Sequence, residues 1–148
     1  MLIEDVAWDD PRAVALRAAQ QAEIAARYGT PDSEPGPAPT TADIALFLLA
    51  SRGGAPLACG ALRRLDERHG EIKRMYAVPE ARGSGAAVAV LRELERRARE
   101  LGWERLVLET GTAQPDAMRF YEREGYTAIP LYGYYADSAD SLCYERRL

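Results

Sequence analysis

A run of small residues joins a predicted strand to a long amphipathic helix of this 148-residue chain, and this junction constrains the fold most strongly. The run covers residues 83–87, reads GSGAA and, with Arg82 directly before it, follows a strand-like segment at 70–78. The helix is predicted from about Gly85 to Leu101, because apolar side chains recur there at three- and four-residue steps, namely at Val88, Leu91, Leu94, Ala98 and Leu101. Glu95 falls on its polar side and is expected to pair with Arg99. The first amides of a helix have no partner inside it, so the junction is a candidate anion site.

The other segments complete an α/β (α+β) pattern. Alternating or continuous apolar runs bounded by Gly-containing turns predict strands, and 3.6-residue periods predict helices. Residues 44–78 hold three successive strands, which predict an antiparallel meander inside a single mixed, mostly antiparallel sheet flanked by helices. A chain of this length is close to one ordinary domain, so residues 1–148 are expected to form one domain. The predicted order is β-α-β-β-β-α-β-α-β-β, with strands at 2–7, 44–50, 56–65, 70–78, 104–110, 126–130 and 141–147 and helices at 11–27, 85–101 and 115–124.

Charge and hydropathy exclude several classes of partner. The chain carries 19 basic and 23 acidic residues, a formal net charge of −4, which disfavours nucleic acid because phosphate binding needs a dense basic face. The longest strongly apolar run, residues 44–50, is far shorter than a membrane span of about 20 residues. The acidic N-terminus lacks the layout of a signal peptide. We therefore expect a cytoplasmic protein that binds neither nucleic acid nor membrane.

The cysteines favour a cytoplasmic protein, and the cysteines and the histidine together argue against a metal site. Cys59 and Cys143 lie in apolar strand-like runs, which predicts buried free thiols and a reducing compartment rather than a disulfide. The single histidine, His69, lies in a polar turn-like stretch, so a His/Cys zinc site is disfavoured. No metal is expected.

A proline-rich segment separates the first helix from the meander. Residues 29–41 hold four of the nine prolines, which predicts a loop. A lid or rim over a binding site is one interpretation, and a plain surface connection is the other.

Two motifs in this order of elements resemble the GNAT family of acetyl-CoA-dependent N-acetyltransferases. The family's Q/R-x-x-G-x-G/A motif is matched by Arg82, Gly85 and Ala87, between the strand at 70–78 and the long helix. The resemblance covers the whole chain in element order and residues 70–126 at motif level. The later motif, N-x-x-A-x-x-x-Y-x-x-x-G-F/Y, is matched by Gln114, which replaces the usual Asn, and by Ala117, Tyr121, Gly125 and Tyr126.

The resemblance implies that two parallel central strands splay apart and that acetyl-CoA binds in the gap as a co-substrate. Main-chain groups of Met75, Tyr76 and Ala77 would hydrogen-bond the pantetheine arm, and Gln114 and Tyr121 would contact it. The pyrophosphate would rest on the amides of Arg82, Gly83, Ser84, Gly85, Ala86 and Ala87.

The same resemblance gives Tyr121 a catalytic role. Acetyl transfer to an amine needs a proton donor for the leaving thiolate. A tyrosine has an ordinary pKa of about 10, near the value of about 8.5 for a thiol, so it can donate a proton to sulfur. A packing tyrosine on an amphipathic helix is the alternative.

Glu71 opens the predicted central strand, where several members of the family carry a general base. The alternatives are a surface glutamate at the strand edge and a partner for an arginine. Strand alternation places Glu71 and Lys73 on one face with Met75, and Arg74 on the other face with Ile72 and Tyr76. Lys73, the only lysine of the chain, is therefore expected to share a site with Glu71 and to bind the acceptor.

Tyrosines supply the remaining candidate contacts to the acceptor. Tyr28 ends the first helix, and Tyr134 lies in a loop that also holds Tyr132 and Tyr135. Aromatic side chains with polar tips suit a recognition rim, although an aromatic hairpin packed on the sheet is an equal alternative.

The expected function is direct transfer of an acetyl group to the primary amine of a small or amino-acid-like acceptor. A non-catalytic acyl-CoA sensor, a protein or peptide N-acetyltransferase and a nucleotide-binding domain are the alternatives. The oligomeric state stays open, with a homodimer as one alternative.

Overall fold

The computed structural model describes residues 1–29 and 35–148 and contains the predicted elements in the predicted order. Two single 3₁₀ turns, Pro79–Ala81 and Gly133–Tyr135, were not predicted. The three helices are α1 (Pro11–Tyr28), α2 (Ala86–Glu100) and α3 (Pro115–Arg123). The strands are β1 (Leu2–Asp5), β2 (Ile44–Arg52), β3 (Ala55–Arg64), β4 (His69–Ala77), β5 (Arg105–Gly111), β6 (Thr127–Ile129) and β7 (Ser141–Arg147).

The seven strands form one mixed sheet in the order β1-β2-β3-β4-β5-β7-β6. Only β4 and β5 pair in parallel, and every other neighbouring pair is antiparallel. The antiparallel meander predicted for residues 44–78 is therefore confirmed as β2, β3 and β4. Helix α2 supplies the crossover that the parallel pair requires.

The parallel strands β4 and β5 separate after a short paired stretch. Their ladder runs only from His69 opposite Arg105 to Glu71 opposite Val107, although β4 continues to Ala77 and β5 to Gly111. The expected splay of the central strands is therefore confirmed, and a gap opens in the middle of the sheet.

A bulge interrupts the alternation of side chains along β4. Arg74 has a φ of 57°, and the ladder with β3 shifts register beside it. Ile72 and Met75 consequently pack on the same face of the sheet, while Tyr76 packs on the opposite face. The sequence-based placement of Met75 on the face of Lys73 is wrong, because the bulge inserts one residue between them.

The two faces of the sheet carry separate apolar cores. One lies between the sheet and helices α2 and α3, and the other lies between the sheet and α1. The α2 stripe differs from the predicted one at its end, since Leu101 is 43% exposed. Glu95 is buried rather than polar-facing, and it accepts a hydrogen bond from the Tyr126 hydroxyl at 2.7 Å and pairs with Arg92 instead of Arg99.

Other sequence-based expectations can be placed on this frame. Cys59 and Cys143 are both free and buried, as predicted. Of the proline-rich loop at 29–41, residues 30–34 lie outside the described part of the chain. Among the described residues, no helix is long and apolar enough to cross a bilayer, and no group of three or more His, Cys, Asp or Glu side chains could hold a metal ion.

Candidate active site

Two adjoining cavities lie where β4 separates from β5, one lined by residues of both strands and the other by residues of β4. The larger has a volume of about 610 Å³, and the smaller has a volume of about 110 Å³. Both are bordered by α1, β4 and α3, so they meet at a shared wall. The residues that line both cavities are Gln20, Ile24, Met75, Gln114, Ala117 and Tyr121.

The larger cavity runs along the N-terminus of α2. Gly83 and Gly85 both line it, with φ values of 80° and 89° that favour glycine. A Cβ atom built on either glycine would meet no atom within 4 Å, so the cavity reaches their main chain. Gly85 is the N-cap of α2 and has no side chain to cap the helix, while the Ser84 Oγ accepts from the Ala86 N–H at 3.4 Å. The following amides of the first turn, beginning with Ala87, are therefore available to an anionic ligand.

Most residues predicted to hold the co-substrate line this larger cavity. The exceptions are Ser84, whose hydroxyl donates to the main-chain oxygen of Ala81, and Ala86, which is buried in the core under α2. The side chains of these two residues build the turn and the core. The predicted residues that line the cavity are Met75, Tyr76, Ala77, Arg82, Gly83, Gly85, Ala87, Gln114 and Tyr121.

Arginines surround the larger cavity, and most of them were not predicted. Arg82 donates to the Glu23 carboxylate at 2.8 Å and to the main-chain oxygen of Ala77 at 3.2 Å. Arg27 of α1 forms an ion pair with Asp116 of α3, with atoms 2.8 Å apart. These pairs tie α1 to both other walls of the cavity. Two further arginines of α3, Arg119 and Arg123, also line it.

Tyr121 lies at the wall shared by the two cavities. Its side chain is buried, and its ring packs edge-on against Phe120 and Tyr126, with ring centres 5.2 and 5.7 Å away. Burial raises the pKa of the Tyr121 hydroxyl well above its ordinary value, because ionisation would leave a charge without water. The hydroxyl therefore keeps its proton across the physiological range.

Charged side chains from both splayed strands line the smaller cavity. Lys73 and Arg74 come from β4, Glu109 comes from β5, and Asp140 precedes β7. Lys73 is 6% exposed, and its Nζ donates to the Tyr135 hydroxyl at 3.0 Å. Lys73 therefore borders the smaller cavity, and its role in binding the acceptor stays a prediction.

Glu71 lies behind this cavity and lines neither of the two. Its carboxylate is 1% exposed. One oxygen, Oε1, accepts from the Arg63 guanidinium at 2.7 and 3.0 Å, and the other, Oε2, accepts from the hydroxyls of Tyr132 and Tyr135. This geometry matches the alternative of an arginine partner, and a general-base role for Glu71 stays a prediction.

The two predicted acceptor-binding tyrosines differ in position. Tyr28 lines the smaller cavity, and its hydroxyl accepts the main-chain N–H of Ala113 at 3.2 Å. A Cβ atom at Gly111 would lie 1.4 Å from that hydroxyl, so only glycine fits there. Tyr134 lines neither cavity, because it is 68% exposed and its ring covers Gly36. No described residue of the loop at 29–41 lines either cavity.

Sequence reasoning missed most residues of the smaller cavity, among them two polar ones that matter for its chemistry, Glu109 and Gln20. Glu109 follows Leu106-Val107-Leu108, so a charge that interrupts a buried strand was the available signal. Gln20 lies on the sheet side of α1, and its Nε2 donates to the main-chain oxygen of Met75 at 2.9 Å. Its Oε1 is buried and has no hydrogen-bond partner within the described ranges. A glutamine in an Ala-rich helix gives no comparable signal.

Comparison with known proteins agrees with this geometry. The sequence matches the model of the acetyltransferase (GNAT) family over residues 7–126. It is 36% identical over 103 residues to a protein of Azospirillum brasilense named IAA acetyltransferase, covering 69% of this chain and 67% of that protein.

Two solved structures are similar over nearly the whole fold. One, from Klebsiella pneumoniae and described as a candidate acyl-CoA N-acyltransferase, is 32% identical with a TM-score of 0.83, covering 99% of this chain and 97% of that one. The other is a GNAT acetyltransferase of Elizabethkingia anophelis solved with acetyl-CoA bound. It has a TM-score of 0.74 and 15% identity, covers 99% of this chain and 97% of that one, and shows the shared fold alone.

Proposed function

The chain belongs to the acetyltransferase (GNAT) family, and on that premise we propose that it transfers an acetyl group from acetyl-CoA to the primary amine of a small, amino-acid-like acceptor. The observation that carries the proposal is the meeting of a larger and a smaller cavity at Tyr121. A large co-substrate and a small acceptor, each in its own cavity, would bring their reacting ends together at that wall.

Three features of the larger cavity support acetyl-CoA as the co-substrate. The open main chain at Gly83 and Gly85 and the N-terminus of α2 suit the pyrophosphate. The β4 residues Met75 to Ala77 line the same cavity beyond the point where β4 leaves β5, so their main-chain groups would bond the pantetheine arm. The arginines at the mouth would attract a multiply charged anion.

The smaller cavity supplies groups that suit the acceptor amine. An amine must lose a proton to attack the thioester carbonyl carbon. We assign proton removal to Glu109, directly or through one water, because its carboxylate belongs to the smaller cavity. Glu71, the base predicted from the sequence, would act through Tyr135 on Lys73 instead.

Tyr121 would complete the transfer. The amine nitrogen forms the new bond to the carbonyl carbon, the carbon–sulfur bond breaks, and the electron pair remains on sulfur. The Tyr121 hydroxyl gives its proton to that thiolate and regains a proton from solvent afterwards. Because burial keeps this hydroxyl neutral, the proton is present when sulfur leaves.

An acetyl-CoA consumption assay tests the function. Purified protein is mixed with acetyl-CoA and a panel of amines, amino acids, polyamines, aminoglycosides and short peptides, and free thiol is measured over time. Turnover with a small amine is the expected result, and turnover with peptides alone would favour a peptide acetyltransferase. CoA binding without turnover across the panel would favour an acyl-CoA sensor.

Direct transfer in a ternary complex has its own test. Intact-mass measurement of protein incubated with acetyl-CoA but no acceptor should show no acetylated protein.

We also propose that the protein lies in the cytoplasm, since Cys59 and Cys143 are free and buried, as a reducing compartment allows. Cells that make the protein are separated into subcellular fractions, and an antibody against the protein shows which fraction contains it.

A further inference from the structure

The smaller cavity carries charges of both signs, and their arrangement bears on which acceptor it takes. Its ionised lining side chains are two cations, Lys73 and Arg74, and two carboxylates, Glu109 and Asp140, so their formal charges cancel. A ligand with one net charge would leave that charge without a partner in a partly buried site, which is costly. A ligand that carries both signs adds no net charge.

The β4 bulge concentrates the cations. In a regular strand, Lys73 and Arg74 would point to opposite faces of the sheet. The positive φ of Arg74 breaks that alternation, and both residues line the smaller cavity. Two adjacent cations can each donate a hydrogen bond to a different oxygen of one anionic group.

Glu109 lies on the same face of the sheet as Lys73. Val107 pairs directly with Glu71, and Lys73 and Glu109 each follow two residues later along their strands. Side chains two apart in a strand share a face, so the β4 cations and the β5 carboxylate lie on opposite sides of the gap. The gap therefore presents positive charge on one side and negative charge on the other.

Resting on the proposed function, we propose that the acceptor is a compact zwitterion, in which a carboxylate next to the reacting amine is bound by Lys73 and Arg74. Glu109 faces the ammonium group before its proton leaves. Neutral analogues, in which the anionic group is an amide or is missing, are poor acceptors.

Gln20 sets the orientation of the bound acceptor in the smaller cavity. Its buried Oε1 has no hydrogen-bond partner within the described ranges, and it borders both cavities beside Tyr121. A buried acceptor atom without a partner is destabilising, so a ligand N–H is the natural partner for it. The amine therefore points toward the shared wall, and the anionic group points toward Lys73 and Arg74, which border only the smaller cavity.

A buried hydrogen-bond chain holds Lys73 in place. The Lys73 ammonium donates to Tyr135, and the Tyr135 hydroxyl donates to Glu71, with distances of 3.0 and 3.1 Å. The Arg63 guanidinium fixes the other oxygen of Glu71. An ammonium anchored in this way has a defined position, which a selective site for an anionic group requires.

Matched acceptors test the inference. The ratio of kcat/KM is measured for alanine against alaninamide and against ethylamine, and for one larger apolar amino acid against its amide. The wild type should prefer each compound that carries a carboxylate by about 10- to 100-fold, the range for hydrogen bonds to charged groups.

Variants then assign the preference to its residues. Lys73→Gln and Arg74→Gln should each reduce the anion preference at least about 5-fold, and Lys73→Arg should restore part of it. Arg99→Gln removes an exposed α2 cation outside both cavities and should leave the ratio unchanged. A loss of folding alone lowers all rates together and does not change the ratio.

Equilibrium binding separates this inference from the proposed function. If no amine supports turnover, the same compounds are titrated into the protein in the presence of CoA. Preferential binding of the zwitterions still supports the inference, although the proposed function would then fail. Equal or better use of alaninamide and ethylamine, in turnover or in binding, overturns the inference and leaves an acetyltransferase of neutral amines.

Discussion

Arg82 and Glu23 form an ion pair, with atoms 2.8 Å apart, that joins α1 to the turn before α2. Both residues line the larger cavity, so a carboxylate lies within the site proposed for the phosphates of acetyl-CoA. Glu23 therefore competes with the phosphates for the same guanidinium. The pair is about one third exposed on each side, so its own contribution to stability is small.

Replacing Glu23 with Gln should tighten CoA binding. The substitution removes a negative charge from the cavity and frees Arg82, so we expect a dissociation constant about 2- to 5-fold lower by isothermal titration. Glu100→Gln, which breaks an exposed pair with Arg96 outside the cavity, is the control. Weaker binding by Glu23→Gln would mean that the pair supports the site.

Replacing Ala87 with Glu should abolish CoA binding. Ala87 lies in the first turn of α2 and lines the larger cavity, so a carboxylate there would fill space and repel the phosphates. A loss of at least about 100-fold in affinity is expected for like charges in close contact. Ala89→Glu places the same charge in the same turn but outside the cavity. Equal effects of the two variants would contradict the phosphate assignment.

Replacing Tyr121 with Phe should lower kcat by about 100-fold or more, because the proton donor is lost. CoA affinity should change less than about 2-fold, since the ring remains. The raised pKa of Tyr121 keeps the wild-type hydroxyl protonated in alkaline solution, so its ionisation should not reduce the wild-type rate up to about pH 10. Tyr144→Phe removes a hydroxyl that bonds Glu122 and serves as the control. An unchanged kcat in Tyr121→Phe would remove this residue from the chemistry.

The same substitution at Glu109 and at Glu71 distinguishes which of the two carboxylates is the general base. Glu109→Gln should reduce kcat by about 100-fold or more, since the proton acceptor is removed. Glu71→Gln should reduce kcat much less, because this carboxylate lines neither cavity. The opposite pattern would return the general-base role to Glu71.

Replacing Arg63 with Met should destabilise the fold. Glu71 is 1% exposed and relies on this guanidinium, so its loss leaves a buried charge without its cation. The free energy of unfolding should fall by about 3 kcal/mol or more in urea titrations. Arg68→Met, in the exposed turn before β4, should change it by less than about 0.5 kcal/mol. A similar small change in Arg63→Met would mean that Tyr132 and Tyr135 suffice.

Local patterns predicted the elements and the co-substrate side of the site. The Gly-rich turn, the α2 period and the two family motifs all lie within residues 70–126, where each signal is short-range. The contacts of Glu71 could not be predicted from local patterns. Two of its partners, Tyr132 and Tyr135, are 61 and 64 residues away, and a single sequence gives no signal for such contacts.

The sequence contains a signal for the β4 bulge that was not used to predict it. Gly60 interrupts the apolar run of β3 and lies opposite the register shift. A Cβ atom there would lie 2.8 Å from Leu94 Cδ1 and 2.9 Å from Met75 Sδ, so a larger residue would have to displace the ends of both side chains. An isolated glycine in a strand often marks a bulge, but its effect on the β4 faces depends on packing from α2.

The bulge at Arg74 also divides β4 into two segments that can vary separately. The segment before it, Ile72 to Arg74, borders the smaller cavity alone, and the segment after it, Met75 to Ala77, borders the larger one. Substitutions before the bulge are therefore expected to alter the smaller cavity while they leave the β4 wall of the larger cavity in place.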